Sequence, residues 1–291
     1  MIPTNTHLQK FDEHLILLNT PIRTRTSYLS SLKKYLSFCE SMRIANVLND
    51  GTVKHYLLHR YEQNLDWKTI NMDYSALKKY FEGVWQKEWN TKMYPRPKAN
   101  SELPNVISQE EIEKLIDHVK MLKYKVFFIF LYGTGMRISE ALGVKVKDID
   151  SSRLQIKVDK GKGHKDRYVD VPIELIEILR EYYKAYKPID HLFYGENRNE
   201  VLSERNVQHA MKRAKEKAGI IHDVTPHTLR HCYATHHMEN GSNIVYIQKM
   251  LGHKSLKTTS IYLHLCVNFK ARDIQHPMTQ IKLSLKINTV I

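Results

Sequence analysis

The chain has 291 residues, 42% of them apolar, with 45 Lys and Arg against 31 Asp and Glu for a formal charge of +14. That apolar share supports a sizeable core and excludes a globally disordered chain. Residues 1–100 alone hold 15 basic and nine acidic side chains, so the excess is spread rather than confined to a tail, and a folded basic chain most often serves a polyanion, nucleic acid first.

Cys39, Cys232 and Cys266 form no CxxC spacing, and their odd number suits a reducing cytoplasm. Asp12 and Glu13 interrupt the first apolar stretch, which excludes a signal peptide there. No apolar run reaches the ~18 residues of a membrane span. Residues 5–85 read as four short amphipathic helices. Leu8, Phe11, Leu15 and Leu18 recur at helical spacing, then Leu29, Leu32, Leu36 and Cys39, then Val53, Leu57 and Tyr61, then Ile70, Tyr74, Leu77 and Phe81. Lys33, Lys34, Lys78 and Lys79 fall on the polar faces of the second and fourth helices, where they suit either solvent or a phosphate backbone. The stretch 90–105, NTKMYPRPKANSELPN, carries three prolines and loses periodicity, so it reads as a linker. Its Arg96 and Lys98 add positive charge between two basic modules. The division is residues 1–89, linker 90–105 and residues 106–291.

A second unit opens at Ser108, whose SQEE is a capping box with Glu111 at the third helical position. VFFIFLYGTG reads as a buried helix ended by glycine, and RISEALGV restarts a helix at Arg137. LQIKV (154–158) and RYVDV (167–171) alternate as two strands, with DKGKGHKD turning between them. Helices return at 173–186, 203–218 and from Thr225 onward. The fold class is mainly α with a small β-hairpin or sheet.

Chemistry concentrates in this second unit. Pro226 suits a first helical turn and sets His227 and Arg230 three apart on one face. Arg230 lies among apolar neighbours, where a half-buried guanidinium favours a bidentate oxyanion such as phosphate. His236 and His237 are adjacent and diverge by ~100°, a poor metal pair. Arg137 follows two glycines at a helix start, where free N–H groups favour an anion. Lys160, Lys162, Lys165 and Arg167 lie on or beside the hairpin turn, and periodicity does not choose among the lysines as a proton donor. No Walker loop is present, and no acidic cluster suggests paired Mg²⁺ ions, so no metal and no cofactor are expected. In LGHKSLKTTSIYLH (251–264), Tyr262 stands behind His253 and a run of hydroxyls. A tyrosine has a reference pKa of ~10 and is a weak nucleophile alone. Beside cations and a base it can attack phosphorus, and the resulting ester keeps the free energy of the broken bond without ATP.

In order and spacing, TGMRISEAL, KGKGHKDR, HTLRHCYATH and MLGHKSLKTTSIYLH resemble the tyrosine recombinases, which include phage integrases, integron integrases and Xer-type enzymes. LPNVISQEEIEKLI resembles that family's entry into its catalytic domain, and the four-helix unit resembles its core-binding domain. The resemblance implies that Arg137 and Arg230 clamp a scissile phosphate, that His227 bonds it and assists as base for Tyr262, and that His253 bonds a phosphate oxygen. It implies Lys162 as the acid that protonates the leaving 5′ oxygen, and Tyr262 as nucleophile. The expected partner is double-stranded DNA, held between the two domains, with a homotetramer on two DNA sites and a monomer or dimer when free. The hydroxyl run is expected to let the tyrosine segment swing into a neighbouring active site. The expected activity is site-specific recombination in the cytoplasm, associated with the nucleoid, as in a mobile element. A catalytically silent DNA-binding relative and a topoisomerase-like nick-closing enzyme are the competing readings.

Overall fold

The computed structural model describes residues 4–98, 103–159 and 166–265. The chain divides into two compact units, residues 1–102 and 103–291.

The first unit is a bundle of α1 (Thr4–Leu17), α2 (Ile22–Ser41), α3 (Asp50–Glu62) and α4 (Trp67–Val84). Asn49 caps α3 by accepting from the Gly51 N–H, and Asp66 caps α4 by accepting from the Lys68 N–H. The apolar stripes meet in a core of Phe11, Leu15, Leu32, Tyr35, Val53, Ile70, Leu77 and Phe81. Leu18 and Tyr61, the last member of two of the expected stripes, are exposed, because each lies at or past the end of its helix. Asp73 is buried and accepts from Arg60 Nε at 2.8 Å, so its charge is matched in place.

The stretch expected as a linker is a linker only in part. Trp89 and Tyr94 are buried in this core with ring centroids 4.5 Å apart. Arg96 donates to Asn71 Oδ1 at 2.9 Å and lies over the Tyr74 ring. These are tertiary contacts without periodicity, which is why the sequence reads as unstructured there.

The second unit runs α5 (Gln109–Asp117), α6 (Leu122–Thr134), α7 (Ile138–Gly143), β1 (Ile149–Asp150), β2 (Gln155–Val158), β3 (Arg167–Asp170), α8 (Ile173–Tyr186), α9 (Glu204–Ala218), α10 (Pro226–Glu239), α11 (Ile244–Leu251) and α12 (Leu256–Thr259), with a 3-10 turn at Ser260–His264. The Ser108 capping box forms as read. The sheet is three-stranded and antiparallel in the order β1-β2-β3, with Ile149 opposite Ile156 and Ile156 opposite Val169. The sequence reading missed β1, a strand of two residues. Ile156, Val158 and Val169 point into a core that includes Phe127, Phe128, Phe130 and Phe193. α6 and α10 pack against each other in that core. Ten of the fourteen residues of α10 are buried, so it shows little amphipathic pattern, as expected of a helix covered on most sides.

Candidate active site

Five of the six residues singled out from sequence for the chemistry come together on α7, α10, the Gly252–His253 turn and the 3-10 turn. The sixth, Lys162, lies outside the described residues. Of the positions proposed for backbone contact, Lys33, Lys34 and Lys98 are exposed. Lys78 lies 3.7 Å from Glu82, Lys79 is half-buried, and Arg96 is engaged with α4 as described.

Two helix ends build the cationic floor. α6 stops at Gly135, which has φ +59°, and α11 stops at Gly252, with φ +63°. Both are left-handed caps that glycine adopts without a Cβ penalty. A Cβ on Gly135 would lie 2.5 Å from the Tyr233 ring, and one on Gly252 would lie 3.1 Å from the Arg167 guanidinium. The stops aim C-terminal carbonyls, the negative ends of helix dipoles, at arginines. Arg230 Nη1 donates to Gly135 O at 2.6 Å, and Nη2 donates to Leu251 O at 2.7 Å. Arg167 Nε donates to Met250 O at 3.2 Å. Arg230 is 2% exposed. Burial, then the nearby Arg137, push its pKa down to about 10, which leaves it charged at neutral pH.

Arg137 stands at a helix start, as expected from sequence: it is the N-cap of α7, whose first helical residue is Ile138. Its backbone N–H donates to Glu140 Oε2 and its Nη1 to Glu140 Oε1, each at 2.9 Å. Glu140 also receives a two-pronged bond from Arg167 Nη1 and Nη2 at 3.1 and 2.8 Å. Burial alone would raise the Glu140 carboxyl. The Arg167 bonds, the Arg137 N–H and both guanidinium charges outweigh that and draw it down to about 2. Arg167, read from sequence as a basic residue beside the hairpin turn, is a largely buried member of this cluster at the start of β3. Sequence reasoning missed Glu140 and Arg167. The signal for Glu140 was present: it is the third helical residue after Arg137, the position from which a carboxylate reaches back to the cap.

His253 links the floor to the tyrosine. Arg230 Nη2 lies 3.0 Å from its Nε2. An arginine only donates, so Nε2 accepts and the ring proton sits on Nδ1, which donates to Thr259 Oγ1 at 2.9 Å. Burial, then Arg230 and Arg137, hold this imidazole at about 4, so it is neutral at pH 7. Thr259 is fully buried, Ser255 caps α12, and Ser260 donates to Lys257 O at 3.0 Å. The expectation of a segment freed by its hydroxyls is corrected here, since three of them fasten it.

Tyr262 is 1% exposed and lies in the site of its own chain. Its ring stacks on His253 at 6.4 Å, with 10° between planes, and tilts against His231 at 5.7 Å. Its hydroxyl lies 3.1 Å from His231 Nδ1. Burial raises its pKa, against the pull of Arg230 and Arg137. His227, the residue expected as its base, is exposed at the mouth and packs edge-on against His231 at 4.5 Å. Loss of hydration, then Arg230 and Arg137, lower its pKa. Sequence reasoning also missed His231. Its signal was the i, i+4 spacing from His227, which puts both rings on one face of α10.

Around Tyr262 are thus three guanidiniums, one carboxylate and three neutral imidazoles. The excess of cations over the single carboxylate suits a bound oxyanion such as phosphate. Among the described residues, no group of three or more His, Cys, Asp or Glu is arranged to hold a metal. No described helix is long and apolar enough to cross a membrane.

Comparison with known proteins gives a consistent picture. Residues 105–268 match the phage integrase family, and residues 7–91 match the phage integrase N-terminal SAM-like domain. The chain is 32% identical over 272 residues to the tyrosine recombinase XerA of Thermococcus kodakarensis, covering 92% of this chain and 93% of that one. It is 30% identical over 279 residues to the tyrosine recombinase XerC of Halalkalibacterium halodurans, covering 87% and 91%. In fold it is similar to a lambda integrase (75–356) dimer bound to a COC′ core site, with a TM-score of 0.72 and 18% identity over 87% of this chain and 96% of that one.

Proposed function

The chain belongs to the phage integrase family and is a site-specific DNA recombinase of the tyrosine type, and on that premise we propose that it breaks and rejoins duplex DNA through a 3′-phosphotyrosine intermediate. Tyr262 Oη attacks the scissile phosphorus. The new O–P bond replaces the P–O5′ bond, the phenolic proton passes to a histidine, and the departing 5′ oxygen takes a proton from Lys162. One phosphoester is exchanged for another, so rejoining by the reverse attack needs no nucleotide. Arg137 and Arg230 carry the charge of the pentacoordinate phosphate, and His227, exposed and facing outward, bonds one of its oxygens. The observation that supports the proposal is the gathering of two hydrogen-bonded pairs, Tyr262 with His231 and Arg230 with His253, joined by the stacking of Tyr262 on His253 and set beside Arg137.

Double-stranded DNA is the substrate. Lys33, Lys34, Lys78, Lys79, Arg96 and Lys98 are assigned to its backbone. Each active site cuts one strand, so a complete exchange between two duplex sites takes four protomers. The decisive experiment incubates the protein with a nicked duplex from which the cut strand diffuses away. The wild type accumulates a covalent protein–DNA adduct, and Tyr262→Phe binds the same duplex without one. Adduct formed at wild-type level by Tyr262→Phe would refute the assignment.

A further inference from the structure

The site holds three histidines, and their hydrogen bonds divide the labour among them. His253 has both ring nitrogens committed, Nε2 to the Arg230 guanidinium and Nδ1 to Thr259. It has no lone pair left for a proton. His227 is exposed and packs edge-on against His231. His231 alone of the three has a ring nitrogen on the hydroxyl of Tyr262, Nδ1 at 3.1 Å.

Resting on the recombinase reading, we propose that His231 takes the proton of Tyr262 as the tyrosine attacks phosphorus, and returns it when the strand is rejoined. In the attack, the Oη–H bond breaks and an Nδ1–H bond forms as Oη bonds to phosphorus, so His231 leaves the step as an imidazolium. In rejoining, the same proton goes back to Oη as the phosphotyrosine bond breaks. This requires the tautomer with its resting proton on Nε2. The groups facing His231 are His227 and Arg230 from its own helix, His253 from the turn after α11, and Tyr262 from the 3-10 turn. Without DNA, burial and then His227, Arg230 and His253 hold its pKa at about 4, while burial raises that of Tyr262. The proton therefore stays on oxygen and the nucleophile is idle. A phosphodiester bound at Arg137 and Arg230 brings a negative charge that offsets the guanidiniums. That shift raises the basicity of His231 at the moment the phenol must ionise.

The test compares the wild type, His231→Ala and His231→Asn in two single-turnover reactions. The first is adduct formation on the nicked duplex. The second is the joining of a 5′-hydroxyl strand to a strand that carries a 3′-(4-nitrophenyl) phosphate, where nitrophenolate leaves without a proton and neither Tyr262 nor its base is required. The asparagine amide reaches close to the place of Nδ1, so it keeps a hydrogen bond to Tyr262 without accepting its proton. Both variants are expected to form adduct on the order of 10²-fold more slowly than the wild type, and to join the nitrophenyl strand within about threefold of it, which also shows that they are folded. Adduct formation by His231→Asn at the wild-type rate would overturn the proposal, because a hydrogen bond alone would then suffice. Equal losses in both reactions would overturn it too, by showing a structural role. A wild type that forms no adduct at all would refute the recombinase reading instead.

Discussion

At the scale of single residues, the proposed mechanism gives Arg230 two duties. Three of its bonds hold Gly135, Leu251 and His253, and among the described residues two of its five N–H donors remain for a phosphate. Arg137 is more exposed, with 27% of its side chain accessible, and among the described residues its side chain is tied to Glu140 alone. The two therefore differ in what their removal does. Arg137→Ala is expected to slow cleavage by on the order of 10²–10³ with little change in stability. Arg230→Ala is expected to slow it at least as much and also to destabilise the fold by roughly 2–4 kcal/mol, because two buried carbonyls lose their donor. Adduct rates and urea denaturation of both variants check this. DNA affinity should fall far less than rate, since many phosphate contacts share that load. Glu140 makes a separate prediction. Its carboxyl sits at about 2 in the folded chain against an ordinary 4.5. A depressed carboxylate stabilises fully above its unfolded pKa and loses that contribution as pH falls towards the folded one. Glu140→Gln is thus expected to cost on the order of 3 kcal/mol at about pH 6, where a matched charge is removed from between Arg137 and Arg167. The gap from the wild type should narrow as pH falls from about 4.5 towards 2. A gap that stays constant or widens across that range would contradict the ion-pair reading.

At the scale of elements, the site depends on where helices stop. α6 and α11 end in left-handed glycines, and the carbonyls they leave unpaired bind Arg230 and Arg167. Gly135→Ala combines a positive φ with a Cβ 2.5 Å from the buried Tyr233 ring. It is expected to cost roughly 1–3 kcal/mol and to lower the adduct rate by displacing Gly135 O. Gly143→Ala meets nothing within 4 Å and serves as the control in the same denaturation series. These elements were legible in different degrees. The four helices of the first unit and the Ser108 box follow from periodicity and capping, which are local. Arg137, His227, Arg230, His253 and Tyr262 were legible jointly, through the order and spacing of motifs that resemble the tyrosine recombinases, each being weak alone. Their partners carry weaker signals. Glu140 and His231 show only local spacings from Arg137 and His227, and the roles of Glu140, Arg167 and His231 are completed by chain distant in sequence: β3 closing on α7, and the 3-10 turn lying against α10. Tyr94 was hidden for the same reason inside a stretch that looked like spacer, and Trp89 immediately before it. β1 was missed because a two-residue strand carries no period to detect.

At the scale of the whole molecule, the assembly decides whose tyrosine meets whose arginines. In the single chain, Tyr262 is 1% exposed, bonded to His231 and stacked on His253, while Thr259 and Ser260 anchor its segment. Delivery to another protomer would break the Tyr262–His231 bond, expose a buried ring and uncover Thr259. Exposing that ring alone costs about 2 kcal/mol by its area. Delivery would have to regain all of this at the receiving site. Cleavage is therefore expected within one chain. Two inactive variants test this, Tyr262→Phe with an intact phosphate clamp and Arg137→Ala with an intact nucleophile. A protomer that draws its tyrosine from its own chain cannot be rescued by mixing them, since each lacks one half of every site. A mixture assembled on paired DNA sites should then form no more adduct than the sum of the separate proteins. If tyrosines are exchanged, the Phe variant supplies a clamp to the Arg137→Ala tyrosine, and adduct should rise well above that sum. The adduct would then be carried wholly by the Arg137→Ala chains, which a size tag on one variant reveals.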